Sequence, residues 1–265
     1  MGGGMKIQSQ SSSIFNKVEN TSNKLNQQLA TGKRVNSAAD DAAALQIIDR
    51  LTSQQNGYGQ SIRNAYDGIS YAQTADSALS GVNDAVSRIR ELSIQSGSGA
   101  LTDTDRQALQ EEVSQLQTQI TETFENTTFG GEKLFNGESA TFQIGPDALT
   151  TKELSQTDGS FANAILSVDI STEAGAQAAI DVADTVSQDL NTQRTQLGAF
   201  ENTVSSTIRN ADNQRENIAA SQSRIQDTDY ARAVSEQTAN DILSQASIAL
   251  RGQANQSASA VLGLL

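Results

Sequence analysis

The sequence lacks cysteine, histidine and tryptophan, and it holds a single proline, Pro146. Without cysteine there is no disulfide and no thiolate nucleophile; without histidine there is no imidazole base and no Cys/His zinc site. A metal site would have to be built from oxygen ligands. Aromatic residues are only 4% of the 265, and hydrophobic residues 36%. Basic side chains are also scarce, 18 Lys and Arg against 31 Asp and Glu, a net charge of −13. Such a chain is a poor ligand for nucleic-acid backbones and anionic membranes, which require clustered Lys and Arg. No apolar run approaches the ~20 residues that span a bilayer. The start, Met1-Gly-Gly-Gly-Met5-Lys6, leads into polar sequence rather than an apolar signal segment. Met1 to Gly4 read as residues added ahead of a native Met5, and the chain is expected to be cytosolic or exported without cleavage.

A composition this polar would suit a disordered chain, but the apolar residues recur at regular spacing. Long stretches free of proline and lined with Ala, Val, Ile and Leu predict long helices packed along narrow seams. Ile7, Ile14, Val18, Leu25 and Leu29 form a heptad stripe on a first helix that Gly32 ends. Ser37 to Asp41 supply capping groups for a second. Its stripe runs Ile62, Ala65, Ile69, Ala72, Ala75, Leu79, Val82, Val86, Ile89 and Leu92 in steps of three and four. A continuous helix from Asp40 to Ser96 would be roughly 85 Å long.

Gly97 to Ala100 read as a turn, and Thr102 to Asp105 as the cap of a helix with Leu109, Val113, Leu116, Ile120 and Phe124 on one face. Residues 126–160 change character. Gly130, Gly131, Gly137, Gly145 and Pro146 surround the alternating run Ala140–Ile144, which predicts short β-hairpins. A third long helix begins after Ser171-Thr172, with a stripe from Ala183 through Val186, Leu190, Leu197, Phe200, Val204, Ile208 and Ala211 to Ile218 and Ile225. The last segment, from Asp227, carries Val234, Ile242, Ala246, Leu250, Val261 and Leu264.

The expected fold is therefore mainly α: a bundle of long coiled-coil helices, a short β-hairpin region, and terminal helices that pair on assembly. Residues 5–36 and 227–265 read as the terminal coiled coil and 37–226 as the long-helix domain, with hairpins at about 126–160. Neither terminal helix has enough apolar surface to be stable alone, so ordering is expected to accompany association. Ile14, Val18, Leu25, Val234, Ile242, Leu250, Val261 and Leu264 are the candidate residues of the polymerisation seam.

No catalytic constellation emerges. Asp40/Asp41, Asp103/Asp105 and Asp227/Asp229 stand at expected helix starts, where carboxylates are ordinary caps; Glu111/Glu112 read as a solvated face. Asp103-x-Asp105 lacks the glycine and final glutamate of a calcium loop. Gly130-Gly131-Glu132-Lys133 lacks the order of a phosphate-binding loop. No catalytic, cofactor or metal residue is assigned, and no enzymatic activity is expected. Arg88-Ile89-Arg90-Glu91-Leu92 reads either as a solvated helix face with Ile89 in the seam or as a protein contact, since an Arg beside a Leu is a common interface pairing.

Several strings together resemble bacterial flagellin. They include Thr31-Gly-Lys-Arg-Val-Asn-Ser-Ala-Ala-Asp40, Arg63-Asn-Ala-Tyr-Asp-Gly-Ile69, Arg88-Ile-Arg-Glu-Leu92 and Thr128-Phe-Gly-Gly131. In the second half come Ser223-Arg-Ile-Gln-Asp-Thr-Asp-Tyr230, Gln253-Ala-Asn-Gln256 and Val261-Leu-Gly-Leu-Leu265. The resemblance covers nearly the whole chain, in order, and implies a minimal member without outer variable domains. It implies a secreted structural subunit that polymerises with itself into a helical filament for motility. Other implied partners are the flagellar export apparatus and its chaperone, hook-associated and cap proteins, and a host Toll-like receptor; neither nucleic acid nor membrane is among them. Matched position by position, Arg88, Leu92 and Glu112 correspond to the receptor-contact residues of that family, with Ser87 where a Gln often stands. The segment before Asn36 is shorter than usual. Met5-Lys-Ile-Gln-Ser9 and Leu29 to Asn36 also resemble hook-filament junction proteins, so a junction adaptor is the alternative.

Overall fold

A computed structural model of the chain describes residues 2–147, 149–155 and 159–262, with side chains described for 13–253 of these and for 256. Among the described residues, α1 spans Gly2–Thr31, α2 Ala42–Ser96, α3 Asp103–Asn126, α4 Asn163–Leu166, α5 Glu173–Gln226 and α6 Tyr230–Leu262. Four short strands lie between α3 and α4: β1 (Thr128–Phe129), β2 (Glu132–Lys133), β3 (Ala140–Gln143) and β4 (Thr151–Leu154). The mainly helical architecture with a small hairpin region thus follows the apolar periodicity.

The chain forms two compact units. One comprises residues 1–55 with 216–265, the other residues 56–215. In the second, the steps of three and four along α2 place Ile62, Ala65, Ala72, Ala75, Leu79, Val82, Val86, Ile89 and Leu92 in one core. Val113 and Ile120 of α3 and the row from Ala176 to Ala211 of α5 join them. The alanines let the helices approach closely, which is how a chain poor in large side chains still fills a core.

The few aromatics gather at the hairpins. Six of the seven phenylalanines make edge-on or tilted ring contacts there, among them Tyr71 with Phe129 and Phe142, and Phe124 with Phe135 and Phe161. β1 and β2 pair antiparallel in the register Thr128↔Lys133 and Phe129↔Glu132. Gly130 and Gly131 close that hairpin at φ 62° and 94°, the left-handed pair that a two-residue turn demands. β3 pairs β4 antiparallel from Ala140↔Leu154 to Gln143↔Thr151. This hairpin lies along α2, where Asn64 Nδ2 donates to the Gln143 carbonyl at 3.0 Å and a Cβ on Gly68 would stand 3.1 Å from the Phe142 ring.

Helix starts are capped as the carboxylates and hydroxyls suggest. Asp41 Oδ1 accepts from Ala44 N at 2.9 Å. Thr102 and Asp105 form a reciprocal capping box on α3. Thr172 Oγ1 accepts from Gly175 N at 3.1 Å ahead of α5.

Candidate self-association surface

α1 and α6 pack against each other in the unit of residues 1–55 and 216–265. Three polar bonds fix their antiparallel arrangement. Tyr230 Oη donates to the Leu29 carbonyl at 2.6 Å, Gln237 Nε2 to Ser22 Oγ at 3.3 Å, and Asn240 Nδ2 to the Val18 carbonyl at 2.9 Å. As the residue number rises along α6, its partner's falls along α1.

The less exposed positions of α6 recur at Ala233, Gln237, Asn240, Ser244 and Ser247, the steps of four and three of a coiled-coil seam. On α1 they are Phe15, Val18, Ser22, Leu25, Gln28 and Leu29. The side that α6 turns toward α1 is therefore small and polar. Its large apolar side chains point elsewhere: Val234, Ile242, Leu243, Ile248 and Leu250 are each more than half exposed. These five residues are spread around α6 outside its seam with α1, so most of its large apolar side chains are left uncovered.

Of the eight residues singled out for polymerisation, Val18 and Leu25 are buried against α6. Ile14, Val234, Ile242 and Leu250 are exposed. The side chain of Val261 and the whole of Leu264 lie outside the described residues. Periodicity had overlooked Phe15, which takes the seam position next to Ile14 and lies under Arg251, with the guanidinium carbon 5.6 Å from the ring centroid. It had also overlooked Gln237 and Asn240, because a scan for apolar residues passes over polar ones at seam spacing.

The segments joining these helices to the rest are tied together. Arg34 N donates to the Gln226 carbonyl at 2.6 Å, Thr228 N to the Gly32 carbonyl at 2.9 Å, and Arg34 Nη2 to the Ile225 carbonyl at 2.7 Å. Asp40 accepts from Asn36 N, Ser37 N and Ser37 Oγ, and pairs with Lys24 at 3.1 Å. The Lys24 bond, followed by the backbone donors, holds the Asp40 carboxyl below the usual carboxylate range.

Charge is divided unevenly between the units. Residues 56–215 carry 9 Lys and Arg against 22 Asp and Glu, so the whole net charge of −13 resides there. The other unit holds 9 of each sign and is neutral. Among the described residues, eight of the eleven exposed large hydrophobics also belong to that neutral unit. Close approach of like units there meets no net repulsion, whereas the acidic units repel.

The second set of expected contact residues lies on α2 and α3. Arg88 Nη2 meets Glu112 Oε1 at 2.8 Å, and Arg88 Nη1 meets Glu91 Oε2 at 3.0 Å. Both acids, Glu112 first, raise the Arg88 pKa further above its already high value. Leu92 is 1% exposed and belongs to the core, so it lies beneath the surface rather than on it. Among the described residues no group of three or more carboxylates is placed to hold a metal ion, and no helix is long and apolar enough to cross a membrane.

Residues 5–140 match the bacterial flagellin N-terminal helical region, and residues 180–265 the bacterial flagellin C-terminal helical region. A flagellin of Halalkalibacterium halodurans is 38% identical over 251 residues, which cover 93% of this chain and 92% of the relative. The two chains are thus of nearly equal length. The crystal structure of Bacillus cereus flagellin is similar with a TM-score of 0.52 and 26% identity, over 60% of this chain and 94% of that one. A solved structure of a Vibrio parahaemolyticus protein assigned as flagellar hook-associated aligns with a TM-score of 0.64, over 71% of this chain and all (100%) of that one. At 15% identity this last likeness shows the fold alone and does not favour an adaptor over a filament subunit. With models of both its helical regions matched and the relative covered nearly end to end, the chain belongs to the bacterial flagellin family.

Proposed function

We infer that the chain is a structural subunit of the bacterial flagellar filament, self-polymerising through the unit that holds α1 and α6. The observation that carries this reading is the exposure of Val234, Ile242, Leu243, Ile248 and Leu250 around α6, outside its seam with α1, on a unit with no net charge. A monomer leaves this surface in water. Burial against further copies stabilises the assembly by roughly 25 cal/mol per Å² of apolar surface and offsets the entropy of ordering the terminal helices. In this reading residues 5–36 and 227–265 are the assembling part, and residues 37–226 carry the acidic side chains that keep filaments soluble.

The working place of the subunit is the extracellular filament. It reaches that place through the flagellar export apparatus, kept soluble by an export chaperone, and it meets hook-associated and cap proteins at the filament's ends. A chain with no disulfide to form suits passage in an unfolded state.

Negative-stain electron microscopy with flagellar seeds tests the reading, with circular dichroism on the same samples. Uniform long filaments with a gain in helicity are expected. Protein that stays monomeric after seeding would point to the junction adaptor instead.

The Arg88–Glu112 pair suits recognition by a host Toll-like receptor, since it presents a fixed charge pattern across α2 and α3 with the Leu92 side chain packed below. Arg88→Ala is expected to weaken signalling in receptor-reporter cells; signalling at the parent's level would remove this surface from consideration. Leu92→Ala would act through the core, so its helicity must be checked alongside.

A further inference from the structure

The chain holds two Asn-Gly pairs, Asn56–Gly57 and Asn136–Gly137. The first lies inside α2. There the Gly57 N–H belongs to the helical ladder, and the regular backbone holds it away from the preceding side chain. The second lies between β2 and β3, with both residues exposed. Gly137 has φ 82°, a left-handed conformation that glycine adopts without cost. Glu138 N donates to Asn136 Oδ1 at 3.0 Å, which folds the asparagine side chain back over the following peptide.

We propose that Asn136 is a site of spontaneous backbone-mediated modification, converting to aspartate and isoaspartate through a succinimide, and that Asn56 is protected from it. Hydroxide removes the Gly137 amide proton, and the nitrogen attacks Asn136 Cγ to close a five-membered ring. The Cγ–Nδ2 bond then breaks and the amide nitrogen leaves as ammonia. Water adds to one of the two ring carbonyls and reopens the ring. Opening at Cγ gives aspartate, and opening at the backbone carbonyl gives isoaspartate. The net change is one water consumed and one ammonia released, with no redox partner. The absence of a side chain on Gly137 leaves the nucleophile unshielded. The Glu138 N–H stands on the oxygen that becomes negative as the nitrogen adds.

The product matters locally. Asn136 borders a hollow of about 360 Å³ together with Glu125, Lys133, Phe135 and Gly159. Either product places a carboxylate there. Isoaspartate also lengthens the main chain by one carbon directly after Leu134, which is 2% exposed, and Phe135, whose ring meets Phe124 at 5.1 Å. The turn would then be reshaped at its attachment to the core.

The test incubates the folded full-length chain in mildly alkaline buffer and maps its peptides by mass spectrometry, with isoaspartyl methyltransferase labelling to identify isoaspartate. Loss of ammonia and gain of water at Asn136 is expected, faster at higher pH, with Asn56 intact. In denaturant both sites should react at comparable rates. Asn136→Gln, which would need a larger ring, should lose the labelling and keep the parent's helicity. Equal rates at the two sites in the folded chain, or an Asn136 that reacts only in denaturant, would overturn the assignment.

Discussion

Asn240, only 7% exposed, reaches from α6 to the backbone carbonyl of Val18 on α1 at 2.9 Å. One turn away, Gln237 bonds Ser22 and leaves its own Oε1 buried without a partner. A seam built this way is specific but weak, since a net side-chain hydrogen bond contributes about 1 kcal/mol and an unpaired buried oxygen costs as much or more. Replacing the amide by an apolar group of similar size removes the desolvation cost. Gln237→Leu, which removes the unpaired oxygen, is therefore expected to raise the helicity and thermal midpoint of the terminal pair in the soluble chain. Circular dichroism with amide exchange over α1 and α6 would check this, and a fall in protection there would contradict it.

The apolar side chains off that seam should matter to association and not to the fold of the monomer. Ile242 is 63% exposed and Leu250 67%. Full burial of such a side chain contributes roughly 1.5–3 kcal/mol, or about ten- to a hundredfold in an equilibrium constant. Ile242→Asp and Leu250→Asp are each expected to raise the concentration needed for seeded growth by about that factor or more, with an unchanged dichroism spectrum. Normal growth by both variants would show that this face stays in water.

Much of this was legible in the sequence because it rests on local periodicity. The rows on α2 and α5 are buried where the steps of three and four place them, apart from Ile69, Ile218 and Ile225, which are half-buried. The Gly130-Gly131 turn and the capping groups needed only neighbouring residues. The α1/α6 seam was harder to read. Its facing residues are Ser, Gln and Asn, which carry no hydrophobic signal, and Ile14 and Phe15 stand side by side with nothing local to show which faces the partner. The bonds of Arg34 to the 225–226 carbonyls and of Arg90 to Asp184 at 2.6 Å join residues distant in sequence, and neither side chain announces its partner.

Two helical glycines should respond to alanine with opposite sign. A Cβ at Gly59 meets nothing within 4 Å, so Gly59→Ala keeps the packing and gains helix propensity, about 0.5–1 kcal/mol. At Gly175, in the first turn of α5, a Cβ would collide with the Asp169 carbonyl and crowd the Thr172 cap. Gly175→Ala is expected to cost about 1–3 kcal/mol despite the same gain in propensity. Thermal melts of the two variants should move apart from the parent in opposite directions, by a few degrees each, at about 2–4 °C per kcal/mol for a chain of this size. Two shifts of the same sign would mean that propensity, not contact, governs both sites.

The acid limb of stability should be set by carboxylates at helix ends. Asp40 is held below the usual carboxylate range by Lys24 and by the Asn36 and Ser37 amides, Asp105 by Thr102, and Asp169 by Ser171. A depressed folded-state pKa means that the unfolded chain takes up the proton first as pH falls. The stability these groups contribute is complete above about pH 4, where unfolded carboxylates are ionised, and is lost as pH drops through their lower folded values. With no histidine in the chain, no side chain of ordinary pKa titrates between about pH 5 and 8. The thermal midpoint is thus expected to be flat across that window and to fall below about pH 4. Asp40→Asn keeps an acceptor for the backbone amides and loses the charge that pairs with Lys24. It should lower the midpoint at neutral pH and make the acid decline shallower, so that variant and parent converge at low pH. Parallel curves for the two proteins through the acid limb would show that the Asp40 carboxylate contributes nothing to it.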